Sequence, residues 1–160
     1  MSFDARMFRD CLGSFATGIT IVTSHRPDGS PVGVTINSFT AVSLVPPLIL
    51  FCLARDADSL APIQSVGAFS VHVLAAEQQA LSARFASPQT DRWDGFAPGG
   101  AATNGCPTIE GVLARLDCQV HACHDGGDHE IIVGAVTHLD LAAKGEPLLY
   151  LRGQYRHVAA

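Results

Sequence analysis

From Gly18 the chain switches to β-branched residues, Ile19-Thr20-Ile21-Val22-Thr23. Beyond Pro27-Asp28-Gly29-Ser30, Val32, Val34 and Ile36 alternate with Gly33, Thr35 and Asn37. Two such runs about a Pro/Asp/Gly loop specify an antiparallel hairpin, because branched side chains suit a pleated surface and the loop residues supply the reversal. Further strands are expected at Leu48–Leu53, behind Pro46-Pro47, and at Ala68–Leu74. Three consecutive segments follow near the C-terminus: Val112–Cys123, Glu130–Leu141 and Leu148–Val158. Strands in immediate succession leave no room for βαβ crossovers, so the pattern selects an antiparallel sheet.

Helical periodicity is confined to three places. Met7, Phe8, Cys11, Leu12 and Phe15 predict an amphipathic helix over residues 4–16, weakened by Gly13. Ser59–Val66 reads as a short helix or turn, and 76–86 is rich in helix formers with Leu81 and Phe85 one turn apart. Residues 87–110 form a long Gly/Pro-rich loop of the kind that carries function or covers a partner. The expectation is one domain, residues 1–160, mostly β, of about seven strands in an antiparallel barrel with a few peripheral helices.

Charge removes several functions. Fifteen acidic residues outweigh ten basic ones, and Lys144 is the only lysine, so no face carries the positive field that nucleic acid requires. Pro46-Pro47 interrupt the longest apolar stretch, Leu44–Ala54, which falls short of the ~20 residues of a membrane helix. Met1–Arg6 lacks the basic-then-apolar layout of a signal peptide, and five cysteines in no scaffold spacing read as reduced thiols. A cytoplasmic protein is expected. Only 16% of residues are charged against 48% hydrophobic, a balance compatible with burial against a second copy of the chain.

On an extended strand, Thr35 and Asn37 share one face while Val34 and Ile36 share the other, with Ser38 and Ser43 beyond. This row of neutral donors and acceptors suits either a polar, uncharged ligand edge or a solvated strand face. Cys118-Gln119-Val120-His121-Ala122-Cys123-His124 raises a metal site, but on a regular strand His121 and Cys123 face away from Cys118 and His124. No metal is expected. Cys52, within Leu50-Phe51-Cys52-Leu53, reads as a packed apolar residue rather than a redox thiol. Neither a Gly-x-Gly-x-x-Gly after a strand nor a Gly-Lys-Ser/Thr occurs.

The ordered series Gly13–Thr23, Asp28–Gly33, Thr35–Leu44, Pro46-Pro47-Leu48, Phe69–Leu74, Gln78–Ala86, Leu116-Asp117-Cys118, Gly127–Gly134 and Pro147–Tyr150 resembles the short-chain flavin reductases. These have an FMN-binding split-barrel fold and are typically the reductase components of two-component flavin monooxygenases. The resemblance spans roughly residues 8–156. It implies that FMN or FAD lies against Thr35, Asn37 and Ser38, with Ser43 nearby, and that Cys52-Leu53-Ala54 run beneath the isoalloxazine. It further implies that Ser59 helps hold the phosphate, that Phe85 lies near the cofactor, and that His129 meets the nicotinamide of NADH or NADPH. Ala61 stands where the family often has a threonine, and His72 where many relatives carry asparagine.

No nucleophile or acid–base dyad is required, since the flavin itself carries the electrons. Two functions follow from the resemblance: an NAD(P)H:flavin oxidoreductase, homodimeric, serving a separate flavin-dependent monooxygenase, or a non-catalytic flavin storage or sensor module. A third, reduction of an organic or ferric substrate, would require tightly retained flavin.

Overall fold

In the computed structural model, which describes residues 4–88 and 92–158, the hairpin opens the main sheet as expected. Strand β2 (Thr20–His25) pairs with β3 (Pro31–Ile36) from Thr20↔Ile36 to His25↔Pro31. Their turn is closed by Asp28, whose carboxylate accepts from Ser30 N–H at 2.9 Å and Ser30 Oγ at 2.7 Å. That motif favours the reversal, with Gly29 at φ +84°.

Seven antiparallel strands then lie in the order β3-β2-β6-β7-β8-β5-β4, with β4 Thr40–Leu44, β5 Pro47–Ala54, β6 Ala68–Val73, β7 Ala114–Gly126 and β8 His129–Leu141. A small second sheet pairs β1 (Thr17–Gly18) with β9 (Leu149–Leu151) and β9 with β10 (Gln154–Arg156). Helices α1 (Ala5–Gly13), α2 (Leu60–Val66) and α3 (Gln79–Ala86) are peripheral, α3 following a single 3₁₀ turn at Ala76–Gln78.

β2 is buried on both faces, from Thr20 through Ser24. Val22 points into the main core with Ile36, Ile49, Phe51, Leu53, Ile63, Phe69, Val71, Cys118 and Ile132. Ile21 points the other way, into a second core with Ile19, Leu74, Phe85, Ile109 and Leu148. The first cluster draws on strands from across the sheet, so the sheet curls around it. Gly134 permits close packing in this core: a Cβ there would stand 2.4 Å from the Phe69 ring. The second core is capped by Trp93 and Phe96, whose rings sit 4.9 and 6.0 Å from that of Phe85. The Gly/Pro-rich segment thus lays its aromatic residues onto the barrel.

A polar layer lies under the same segment. Asp117, fully buried, accepts from Ser70 Oγ at 2.9 Å, Thr103 Oγ1 at 2.8 Å and Arg115 Nε at 3.1 Å. Burial opposes its ionisation, yet the bonds from Thr103 and Ser70, with Arg115, hold its carboxyl below the ordinary value. Burial also pushes the Cys106 thiol up to about 11 and Cys118 to about 12, so both stay protonated at neutral pH.

Several boundaries differ from the sequence expectation. Among the described residues ten strands form rather than about seven. Leu148–Val158 is two strands, because Arg152 (φ +52°) and Gly153 (φ +75°) reverse the chain. β3 ends at Ile36, so Asn37 lies beyond the strand on which it was expected, and Asn37–Phe39 carries the chain from one end of the sheet to the other. Helix α1 ends at Gly13, and none of its residues is buried, so Met7, Phe8 and Leu12 face solvent. A bulge between Val120 and Ala122 interrupts the alternation assumed for the cysteine–histidine stretch. Among the described residues, no three His, Cys, Asp or Glu side chains converge as metal ligands, and no helix is long and apolar enough to cross a membrane.

Candidate active site

The two ends of the curled sheet come together where β3 faces the C-terminal half of β5. Among the described residues, β3 has a strand partner on its β2 side alone. β4 pairs with β5 no further than Leu50, leaving Phe51–Ala54 bonded on the β8 side alone. The barrel is therefore split, with no strand ladder across the opening between its two edges among the described residues. Between them lies a crevice of about 280 Å³ lined by Val34–Ser38, Cys52–Ala54, Ala57 and His129. Backbone amides and carbonyls at such edges are obligate hydrogen-bonding groups, so the crevice offers polar, uncharged partners between the apolar walls of Val34 and Leu53.

Ser38 spans the split. Its Oγ donates to the Cys52 carbonyl at 2.9 Å and accepts from Cys52 N–H at 3.0 Å. Thr35 Oγ1 donates to the Ser82 carbonyl at 2.8 Å, fastening α3 against β3. The Asn37 amide has no hydrogen bond to the described residues and is exposed. Asn37 also lines two adjoining cavities: about 560 Å³ beside Phe15–Gly18 and Phe39, and about 170 Å³ beside Ser82, Tyr150 and Tyr155. The end of β3 is thus where three cavities meet.

His129 opens β8 opposite Ala54. Its Nδ1 lies 2.7 Å from Asp128 Oδ1, which leaves Nε2 free of that contact. The hydrogen bond and the charge of His129 lower the Asp128 carboxyl from its ordinary value.

A family model described as the flavin reductase-like domain matches residues 12–159. The chain belongs to the flavin reductase-like domain family. It is 45% identical over 154 residues to the reductase subunit HsaB of a flavin-dependent monooxygenase from Rhodococcus jostii, spanning 96% of this chain and 78% of that one. A flavin reductase from Pseudomonas putida is 40% identical over 159 residues, with 99% and 93% of the two chains covered. The fold matches an NADH:FAD oxidoreductase of Streptomyces globisporus, solved with NAD and FAD fragments, at a TM-score of 0.92. That pair shares 36% identity over 98% of this chain and 93% of the other.

In this flavin reductase-like chain, the crevice gathers Thr35, Asn37, Ser38, Cys52, Leu53, Ala54 and His129, all named from the sequence. It does not gather three others. Ser43 sits in β4 opposite Leu48, outside the crevice wall. Phe85 is fully buried behind β3, its ring against the Gly33 backbone, so it supports the wall from the rear. Ser59 stands at the N-cap position of α2 and is fully buried, but its Oγ makes no cap bond and has no hydrogen-bond partner among the described residues. The wall stops at Ala57, and Ala61 is exposed. Tyr150 and Tyr155, which line the adjoining cavity, went unnamed because the short β9–β10 hairpin carries little signal of its own.

Proposed function

We propose that this chain is an NAD(P)H:flavin oxidoreductase that passes reduced FMN or FAD to a separate monooxygenase component. The observation carrying the reading is the split itself: an uncharged crevice between two strand edges that share no ladder, with the exposed Asn37 amide at its end and apolar walls. An isoalloxazine has the complementary character, apolar at its dimethylbenzene end and hydrogen-bonding at its pyrimidine edge. Bound flavin supplies the hydride acceptor, and the protein's task is to align the two rings and keep the site's donors in place.

In this reading Asn37 offers its amide to the ring edge, and Cys52, Leu53 and Ala54 form the floor. Thr35 and Ser38 hold the walls at the right separation while still offering lone pairs. His129 meets the nicotinamide through Nε2. Ser59, an orphaned buried hydroxyl, is the candidate phosphate partner. The grip there is slight, because Ala61 adds no hydroxyl and the neighbouring arginines are already paired. Arg55 is held by Asp125 and Glu130, and Arg92 by Asp58 at 2.9 Å. That supports a flavin that exchanges with solution, as delivery to a second component requires.

The chain is also proposed to be a homodimer. Met7, Phe8, Leu12 and Phe15 are exposed around α1, and Leu44 and Val45 at the β4–β5 tip are 90% and 91% exposed. Apolar surface of this extent marks an association face. Sedimentation velocity at working concentration is expected to give twice the chain mass, and a fully active monomer would rule the dimer out. The central test is oxidation of NADH and of NADPH upon addition of FMN, FAD or riboflavin. Turnover above the uncatalysed rate is expected with at least one pair, and its absence with all of them would leave a flavin-binding module.

A further inference from the structure

We propose that Arg55 is a positioning residue that fixes His129 for the nicotinamide by clamping the β7–β8 turn to the end of β5. The proposal rests on the assignment of His129 above. Arg55 directly follows Ala54, the residue opposite His129 in the β5–β8 register. From there it reaches both carbonyls of the turn: Nε donates to Gly127 O at 2.8 Å, and the backbone N–H donates to Asp128 O at 3.1 Å. Its two terminal nitrogens pair with carboxylates on either side, Nη1 with Glu130 at 2.8 Å and Nη2 with Asp125. One residue thus grips four of the six positions from Asp125 to Glu130, and His129 stands inside that span.

The turn needs such a clamp. Gly126 and Gly127 precede His129, and Gly127 adopts φ +79°, so the tip has the conformational freedom that glycine brings. Single exposed ion pairs contribute little. A guanidinium fork satisfied at three nitrogens instead supplies direction, which a lysine ammonium cannot reproduce. Arg55 is not a wall residue of the crevice, so its influence on the nicotinamide passes through the turn.

The test is a double-mutant cycle of Arg55→Gln and His129→Ala, read as KM for NADH, kcat, and flavin Kd from quenching of flavin fluorescence. Arg55→Gln is expected to raise KM for NADH about tenfold while kcat and flavin Kd stay within about twofold. In the His129→Ala background the same change should add less than about twofold, because there is no longer an imidazole to position. Should Arg55→Gln fail to fold, Arg55→Lys, which keeps charge and stem but not the fork, carries the same cycle with the same expectation. An unchanged KM in the Arg55 variant, or an additive effect in the double variant, overturns the clamp while leaving His129 in place. If His129→Ala itself leaves KM for NADH unchanged, the His129 assignment fails instead.

Discussion

Ser38 Oγ and the Cys52 peptide form a reciprocal pair, the hydroxyl donating to the carbonyl at 2.9 Å and accepting from the N–H at 3.0 Å. It is a substitute for the ladder bond that the split removes. β3 and β5 are not hydrogen-bonded neighbours in the sheet, yet this one side chain sets their separation. Ser38→Ala leaves both Cys52 backbone groups to water or unpaired, at about 1 kcal/mol in stability. Flavin affinity should fall several-fold in the same variant, because the crevice width is no longer fixed. Urea denaturation and a flavin fluorescence titration check the two effects, and unchanged affinity would confine Ser38 to a purely structural role.

The back of the same wall depends on Gly33. A Cβ at that position would stand 2.6 and 2.9 Å from two carbons of the Phe85 ring. The ring cannot retreat, since Trp93 and Phe96 pack edge-on against it. Gly33→Ala is therefore expected to destabilise the protein by about 1–3 kcal/mol through overpacking. The companion change Phe85→Leu, which frees the space, should recover part of that loss in a Gly33→Ala background. Chemical denaturation of the two single variants and the double variant measures the coupling.

How much of this could be read from the sequence depends on how local each feature is. β2, β3, β5 and β6 announce themselves, since β-branched runs and alternation are set within a few residues. β4 is short and at an edge, and the Arg152–Gly153 reversal hides inside an apolar run, so neither carries a strong local signal. The family resemblance points to ten site residues, of which seven line the crevice, but nothing local indicates that Thr35 and Ala54 border one opening. Ser38–Cys52 is a contact over fourteen positions and Arg55–Gly127 one over seventy-two, and both depend on the curl of the whole sheet. Phe85 is the converse: near the site in sequence pattern, but turned into the core by the side of α3 it occupies.

The rim of the crevice predicts a preference between the two nicotinamides. Among the described residues of segments 54–58 and 125–130, which border its walls in sequence, Asp56, Asp58, Asp125, Asp128 and Glu130 stand against Arg55, and both Arg55 and the nearby Arg92 are engaged by these carboxylates. A 2′-phosphate brings further negative charge to a surface with no uncommitted cation among the described residues of segments 54–58 and 125–130. NADH is expected to be used with kcat/KM about tenfold or more above NADPH, equivalent to about 1.4 kcal/mol. The gap should narrow as ionic strength rises, because exposed charges are screened beyond roughly 10 Å at 0.1 M salt. Equal kcat/KM values at low salt would contradict the electrostatic argument.

His72 makes folding stability depend on pH. It is fully buried in β6, with Nδ1 3.2 Å from the Ile21 carbonyl and no partner for Nε2 among the described residues. Burial lowers its pKa from 6.5 to about 4, with the Ile21 carbonyl and Asp117 opposing the shift and Arg115 reinforcing it. The unfolded chain therefore binds a proton on this ring at a higher pH than the folded one. Stability is complete above about pH 6.5 and is lost as pH falls towards 4, by on the order of 3 kcal/mol in all. Asp117 acts in a lower window: its depressed carboxyl loses its contribution only as pH drops below about 3.8. Denaturation midpoints between pH 7 and 4.5 should thus fall steadily in the native protein and much less in His72→Asn, which cannot titrate. Parallel curves for the two proteins would show that His72 is not the group responsible.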